Sequence, residues 1–190
     1  MNSHRVRLAD VAAEPWRNGG GTTRELLAWP QPAEWQLRVS VAEIERDGPF
    51  SPFDGVDRWF AVIEGAGVEL AWASGTRTLR PGEAPLQFAG EAAPACRLLQ
   101  GPTRDLNFMH RRGAGVASMR PAHAGSRAED GPHWRGLYVA HEALIDLGEQ
   151  TELLAAGTLL WSERNDVEPP ARPWQLQSAG RAWWLTLETR

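Results

Sequence analysis

Glycine and proline recur along the whole chain, 19 and 14 of them in 190 residues, and leave no room for a long helix. Glycine weakens a helix interior through backbone entropy, and proline removes a hydrogen-bond donor there. Between these breakers lie short apolar segments. Trp35-Gln36-Leu37-Arg38-Val39-Ser40-Val41 alternates apolar and polar residues, the signature of a half-buried strand. Trp59–Ile63 is continuously apolar, as in a strand covered on both faces, and Val68–Trp72 alternates again after a Glu64-Gly65-Ala66-Gly67 turn. Shorter strands are expected at Leu86–Phe88, Cys96–Gln100, Leu106–His110, Arg135–Val139, Thr158–Trp161, Trp174–Gln177 and Ala182–Glu188. Many short strands at this spacing make the chain all-β, with the strands closed into sandwiches or barrels. One helical turn or two is allowed at His141–Leu147. The stretch from Arg112 to Trp134, rich in Gly, Ala and Pro, reads as a loop or linker, which splits the chain into modules 1–112 and 113–190. A faint echo crosses it: Leu79-Arg80-Pro81-Gly82-Glu83 and Leu154-Ala155-Ala156-Gly157-Thr158 each place a glycine turn between apolar residues.

Composition narrows the function. Net charge is -4, and no basic cluster marks a nucleic-acid footprint. All 20 basic residues are arginine. Schiff-base chemistry and a P-loop lysine are therefore excluded, and an anion must be held by Arg, hydroxyls or backbone N–H groups. The single cysteine, Cys96, sits in an apolar run and reads as a buried, inert thiol. No apolar stretch is long enough for a membrane span, and Met1-Asn2-Ser3-His4-Arg5 leads into no apolar signal-peptide core, so a cytoplasmic protein is expected.

Three segments carry candidate chemistry. The first is Pro15-Trp16-Arg17-Asn18-Gly19-Gly20-Gly21-Thr22-Thr23-Arg24-Glu25. Consecutive glycines can form an anion-binding nest, and flanking hydroxyl and guanidinium groups suit a carboxylate. The same residues are equally a hairpin turn, because Asn-Gly is a strong turn signal. The second, Asp47–Arg58, is a compact loop pinned by Phe50 and Phe53; it is either a packed structural loop or one that sets Arg58, just ahead of the apolar strand, as a ligand clamp at the mouth of a barrel. The third is Asp105–Arg112, in which Asn107 lines a pocket or simply belongs to a sheet strand. No nucleophile elbow is present.

The Trp59–Gly67 hairpin and the later Arg80-Pro81-Gly82-Glu83 turn resemble those of a cupin, a double-sheet jelly roll. No histidine occurs between His4 and His110, so the imidazole ligands of metal-binding cupins are missing and no metal or other cofactor is expected.

In order, Pro15–Glu25, Ser40-Val41-Ala42 with Gly48-Pro49-Phe50-Ser51, Asp57-Arg58, and Asp105–Met109 with Arg111-Arg112 resemble the HutD/Ves family over residues 5 to 112. The family often carries Lys where this chain has Arg17. The resemblance implies a bicupin, two cupin-like β-barrel modules in one chain. It further implies a part in histidine utilisation, binding urocanate or a formylated histidine-breakdown product without a metal, in a regulatory role. The expected ligand donors are Arg17, Asn18, Thr22, Thr23, Arg24 and Arg58, with Ser40 and Asn107 lining the pocket. The alternative is an isomerase or hydrolase of a small imidazole or formyl-amino compound, with Glu25, Asp57 or His110 as its acid or base. The expected partner is a small anion, with no nucleic acid and no membrane, and jelly-roll edges leave room for a homodimer.

Overall fold

The computed structural model describes residues 3–128, 132–164 and 173–189. Within them the protein is all-β. Its only helical pieces are three single 3-10 turns at Leu8–Asp10, Pro32–Glu34 and Arg112–Ala114. No helix among the described residues is long and apolar enough to cross a membrane. The chain divides into two compact units, Val11–Gly113 and Met1–Asp10 with Ala114–Arg190.

The strands, in chain order, begin with β1 (His4–Arg7), β2 (Glu14–Pro15), β3 (Gly21–Trp29), β4 (Leu37–Ile44), β5 (Gly48–Pro49) and β6 (Val56–Glu64). Next come β7 (Val68–Trp72), β8 (Gly75–Leu79), β9 (Leu86–Ala89), β10 (Ala95–Leu98), β11 (Thr103–Arg111) and β12 (Gly115–Ala122). The last are β13 (Trp134–Val139), β14 (Ala143–Asp146), β15 (Thr151–Leu154), β16 (Thr158–Glu163), β17 (Gln175–Ala179) and β18 (Ala182–Thr189). All pairings between them are antiparallel.

The unit Val11–Gly113 has one sheet in the order β2-β3-β4-β11-β6-β9 and another in the order β5-β10-β7-β8. Its interior cluster includes Ala42, Phe60 and Val62 from the larger sheet and Val68, Leu70 and Cys96 from the smaller. These residues face one way because side chains alternate along a strand. The other unit has sheets β1-β16-β13-β18-β12 and β15-β14-β17. Leu137, Leu160 and Trp184 from its larger sheet cluster with Ile145 and Leu176 from its smaller one.

The order β4-β11-β6-β9 recurs as β12-β18-β13-β16, and β8-β7-β10 recurs as β15-β14-β17. The weak sequence echo falls at equivalent places in the two orders. Gly82 lies between β8 and β9, and Gly157 between β15 and β16, at φ values of 91° and 74°. Each turn needs a residue that tolerates positive φ.

Three sequence expectations are corrected. Residues 1–112 do not form one module, because β1 pairs with β16, from His4↔Trp161 to Arg7↔Thr158, and so joins the second unit. The stretch from Arg112 to Trp134 is not all loop, because it contains the eight-residue strand β12. Pro121 disguises that strand, yet β12 is a sheet edge, where a missing N–H is tolerated. Residues 129–131 of the same stretch lie outside the described residues. His141–Leu147 forms no helical turn. Ala143–Asp146 is strand β14, with Ala143 and Ile145 buried on alternate positions.

Candidate functional site

The triple-glycine segment is a hairpin turn joining β2 to β3, with Pro15 opposite Thr22. Trp16 N–H donates to Gly21 O at 2.9 Å, and Gly19 N–H to Trp16 O at 2.9 Å. Gly20 N–H donates to Asn18 Oδ1 at 3.0 Å. Those three amides are thus spent inside the hairpin turn and are not available to an anion. The turn does present Arg17 and Asn18 to a cavity formed within the unit Val11–Gly113.

That cavity is about 430 Å³ and open to one side. Its floor is the inward face of the larger sheet. Ser40 on β4 sits opposite Asn107 on β11, and Met109 on β11 sits opposite both Arg38 and Arg58. Arg17, Asn18 and Thr23 line it from the turn and from β3, and Trp16, Pro49, Phe50 and Phe53 supply apolar wall. Glu14 is the acidic residue in the lining. The Trp16 indole donates to Thr23 Oγ1 at 2.8 Å, leaving the threonine hydroxyl proton free to point elsewhere. Trp16→Phe removes that bond and part of the ring packed on the core, and is expected to lower stability by about 1 kcal/mol or more, read from chemical denaturation.

Arg58 dominates the floor. The residue is 8% exposed, and its guanidinium lies 4.3 Å from the centre of the Phe50 ring, with Phe60 and Phe88 also alongside. Arg58 Nε donates to Asn107 Oδ1 at 2.8 Å, and one terminal nitrogen donates to the same oxygen. No carboxylate among the described residues forms an ion pair with it. Burial pushes its pKa down to about 10, and the negative charge of Asp105 opposes that shift. It remains a cation at neutral pH.

Beneath it lies Asp105, 0% exposed. Thr103 Oγ1 donates to Asp105 Oδ2 at 2.7 Å, while Oδ1 has no hydrogen-bond partner among the described residues. Burial raises this carboxyl to about 7, against the pull of Thr103 and Arg58. Cys96 is buried, and burial followed by Asp105 pushes its thiol up to about 12, which makes it unreactive.

Arg17, Asn18, Thr23, Ser40, Arg58 and Asn107 therefore line one cavity. Thr22 and Arg24 do not. Alternation turns them to the opposite face of β3, where Thr22 is paired with Glu43 and Arg24 reaches its carboxylate at 3.0 Å. Arg104 holds the same carboxylate at 3.0 Å. Burial alone would raise the Glu43 carboxyl, but Arg104 and Arg24 overcome it and hold it below the usual carboxylate range. Arg24→Ala is expected to leave ligand affinity within twofold of wild type and to cost at most about 1 kcal/mol of stability, as for other half-exposed ion pairs. A tenfold loss in calorimetry would return Arg24 to the site.

The acid–base candidates also lie off the cavity. Glu25 holds Arg38 at 2.5 Å, and Asp57 is held by Arg112 at 2.8 Å. His110 is buried, and burial depresses its pKa. No cluster of three His, Cys, Asp or Glu residues suited to a metal ion occurs among the described residues.

Sequence reasoning missed Glu14, Trp16, Phe50 and Arg38 as lining residues, and Asp105 beneath them. Phe50 was visible as an anchor of its loop, but its stacking on Arg58 joins residues eight apart through tertiary packing alone. For Asp105 the signal was present. It is two residues from Asn107 on the same strand and so shares its face.

The fold and the site define an all-β protein with an arginine-floored cavity between the sheets of one unit. The chain belongs to the HutD family, whose sequence model matches residues 8–184. It is 36% identical over 108 residues to an uncharacterized 21.2 kDa protein in the hutC 3' region of Pseudomonas putida, covering 55% of this chain and 56% of that one. It is 38% identical over 110 residues to Protein Ves of Citrobacter koseri, covering 56% and 57%. These alignments span little more than half the length of either relative. The structure of HutD from Pseudomonas fluorescens SBW25 superposes over the whole of both chains with a TM-score of 0.87 at 27% identity. A conserved protein of unknown function from Pseudomonas aeruginosa PAO1 does so with 0.87 at 25%.

Proposed function

We propose that the chain is a metal-independent binding protein for a small carboxylate, built as a bicupin, with a regulatory role in histidine utilisation. The observation that carries this reading is Arg58. It is a buried cation that forms no ion pair with a carboxylate among the described residues, and it opens onto a cavity that also holds the Ser40 and Thr23 hydroxyls. Burying a charge is costly unless something pairs with it. A bound carboxylate would supply that pairing through charge-assisted hydrogen bonds. The volume, about 430 Å³, suits a ligand of one ring or a short chain. Phe50, Phe53 and Trp16 would take the apolar part, and Arg17 and Asn18 would close the rim. The repeated strand order supports the bicupin reading.

The hutC-region relative and the HutD structure support placing the ligand among the intermediates of histidine breakdown. Urocanate or a formylated product carries the required carboxylate. Titration calorimetry with urocanate, formylglutamate and the amide of urocanate tests this. At least one acid is expected to bind. If urocanate is that acid, its amide should bind at least tenfold more weakly, the loss of one charge-assisted hydrogen bond. Equal affinity for urocanate and its amide, or no heat and no thermal shift with either acid at millimolar concentration, would sink the reading.

A further inference from the structure

Asp105 and Asn107 lie on the same strand and point to the same side of it, toward the interior that Arg58 occupies. Asn107 accepts from Arg58 at 2.8 Å and donates through Nδ2 to Asp105 O at 3.4 Å. Asp105 is fully buried, yet one of its carboxylate oxygens has no hydrogen-bond partner among the described residues. An ionised carboxylate normally recruits donors to both oxygens when buried, whereas a protonated one needs fewer. We propose that Asp105 is a built-in proton acceptor that couples carboxylate uptake at Arg58 to uptake of one proton. The proposal rests on the carboxylate reading of the cavity.

The coupling is electrostatic. When Asp105 is ionised it partly neutralises Arg58 and repels an incoming anion. When it is protonated, the full charge of Arg58 is available to the ligand. By reciprocity, a carboxylate arriving at Arg58 drives Asp105 toward its protonated form. The proton comes from solvent and ends on the Asp105 carboxylate.

Other groups facing this pair do not supply the same response. From β10, Cys96 stays a thiol, with its pKa pushed to about 12. From β4, Arg38 is held by Glu25 of β3 at 2.5 Å. From β6, Arg58 has its pKa lowered by burial only to about 10 and so keeps its charge between pH 6 and 8.5. On β11, Thr103 only donates to Asp105. Asp47, which also acts on Cys96, accepts from Leu98 N–H at 2.8 Å. Arg17 and Glu14 complete the charged lining, which contains no histidine. Asp105 is the group in this set whose carboxyl sits near pH 7.

Benzoate is a suitable probe, because its own carboxyl does not titrate between pH 6 and 8.5. Its affinity is expected to fall about thirty-fold from pH 6 to pH 8.5, the limit for one proton taken up by a group titrating near 7. Calorimetry at pH 8 in triethanolamine and in Tris, cationic buffers of different ionisation enthalpy, should report close to one proton absorbed per benzoate. Asp105→Asn should flatten the pH dependence. If that variant does not fold, the proton count on the wild-type chain decides alone. Binding with equal affinity at both pH values, or without proton uptake, overturns the coupling and leaves the carboxylate site standing. A slope that persists in Asp105→Asn overturns the assignment to Asp105. No benzoate binding at pH 6 overturns the carboxylate reading and the coupling with it.

Discussion

Arg58→Met is expected to lower carboxylate affinity at least tenfold, on the order of 1.5–3 kcal/mol, while the protein stays folded. The first half of that expectation follows from where the charge is. Arg58 is the buried cation on the cavity floor, held in place by Asn107 and by the ring of Phe50. Removing it leaves a ligand carboxylate the Ser40 and Thr23 hydroxyls, which are weaker, neutral donors, with Arg38 already held by Glu25 and Arg17 out at the rim. The second half follows from what burial already costs. Desolvation pushes the Arg58 guanidinium down to about 10, so the folded protein bears a penalty that a neutral side chain would not. Replacing a buried charge with an apolar group of similar length is often close to neutral. Methionine keeps the contact with Phe50, Phe60 and Phe88. Two costs remain. Asn107 Oδ1 loses its donor, about 1–3 kcal/mol if nothing replaces it. Asp105 loses the nearby positive charge, but it can take a proton at a pKa already raised to about 7 and so avoid standing as an unpaired anion. Calorimetry reads the affinity, and a denaturant titration reads the stability. Unchanged affinity removes Arg58 from the site. Collapse of the fold assigns it to structure.

How much of this was legible in the sequence depends on whether strand parity could be read. Arg58 was legible because it stands just ahead of the apolar run Trp59–Ile63, which fixes the strand and puts the arginine near its open end. Ser40 and Asn107 lie in strands with clear alternation, and the structure pairs them directly. In β3, by contrast, the residues Gly21-Thr22-Thr23-Arg24-Glu25 are all polar or glycine, so no apolar alternation says which of Thr22 and Thr23 turns inward. The irregularity between Glu25 and Leu27 then shifts the pairing, so the apolar residues further along could not settle the question. The edge strands β1 and β12 were missed because an edge needs neither strong apolar alternation nor freedom from proline. The cavity itself could not be read from one dimension. It closes Glu14, Arg38, Phe50 and Met109 into one lining from four separated segments.

Gly21→Ala should be the most damaging single methyl in the site, with a loss of about 3 kcal/mol and a melting temperature about 10 °C lower. The cause is not backbone conformation, because Gly21 is not among the glycines at positive φ. It is space. A Cβ at Gly21 would stand 2.1 Å from the backbone oxygen of Glu43 and 3.3 Å from the Cα of Ile44. Both are main-chain atoms of the neighbouring strand and cannot rotate away. Relief requires β3 to move off β4 at its first paired residue, Gly21↔Ile44. That movement would also carry Thr23, two residues on and paired with Ala42, away from Ser40, so affinity should fall together with stability. Gly19 provides the control within the same turn. Its φ is +67°, but a Cβ there would meet nothing within 4 Å. Gly19→Asn, a residue that tolerates this conformation, should therefore cost about 1 kcal/mol or less. The pair separates two meanings of the glycine run. If Gly21→Ala melted within 2 °C of wild type while Gly19→Asn was the damaging change, the run would matter for turn flexibility. The expected reverse order makes Gly21 the point where close approach of two strands sets the edge of the cavity.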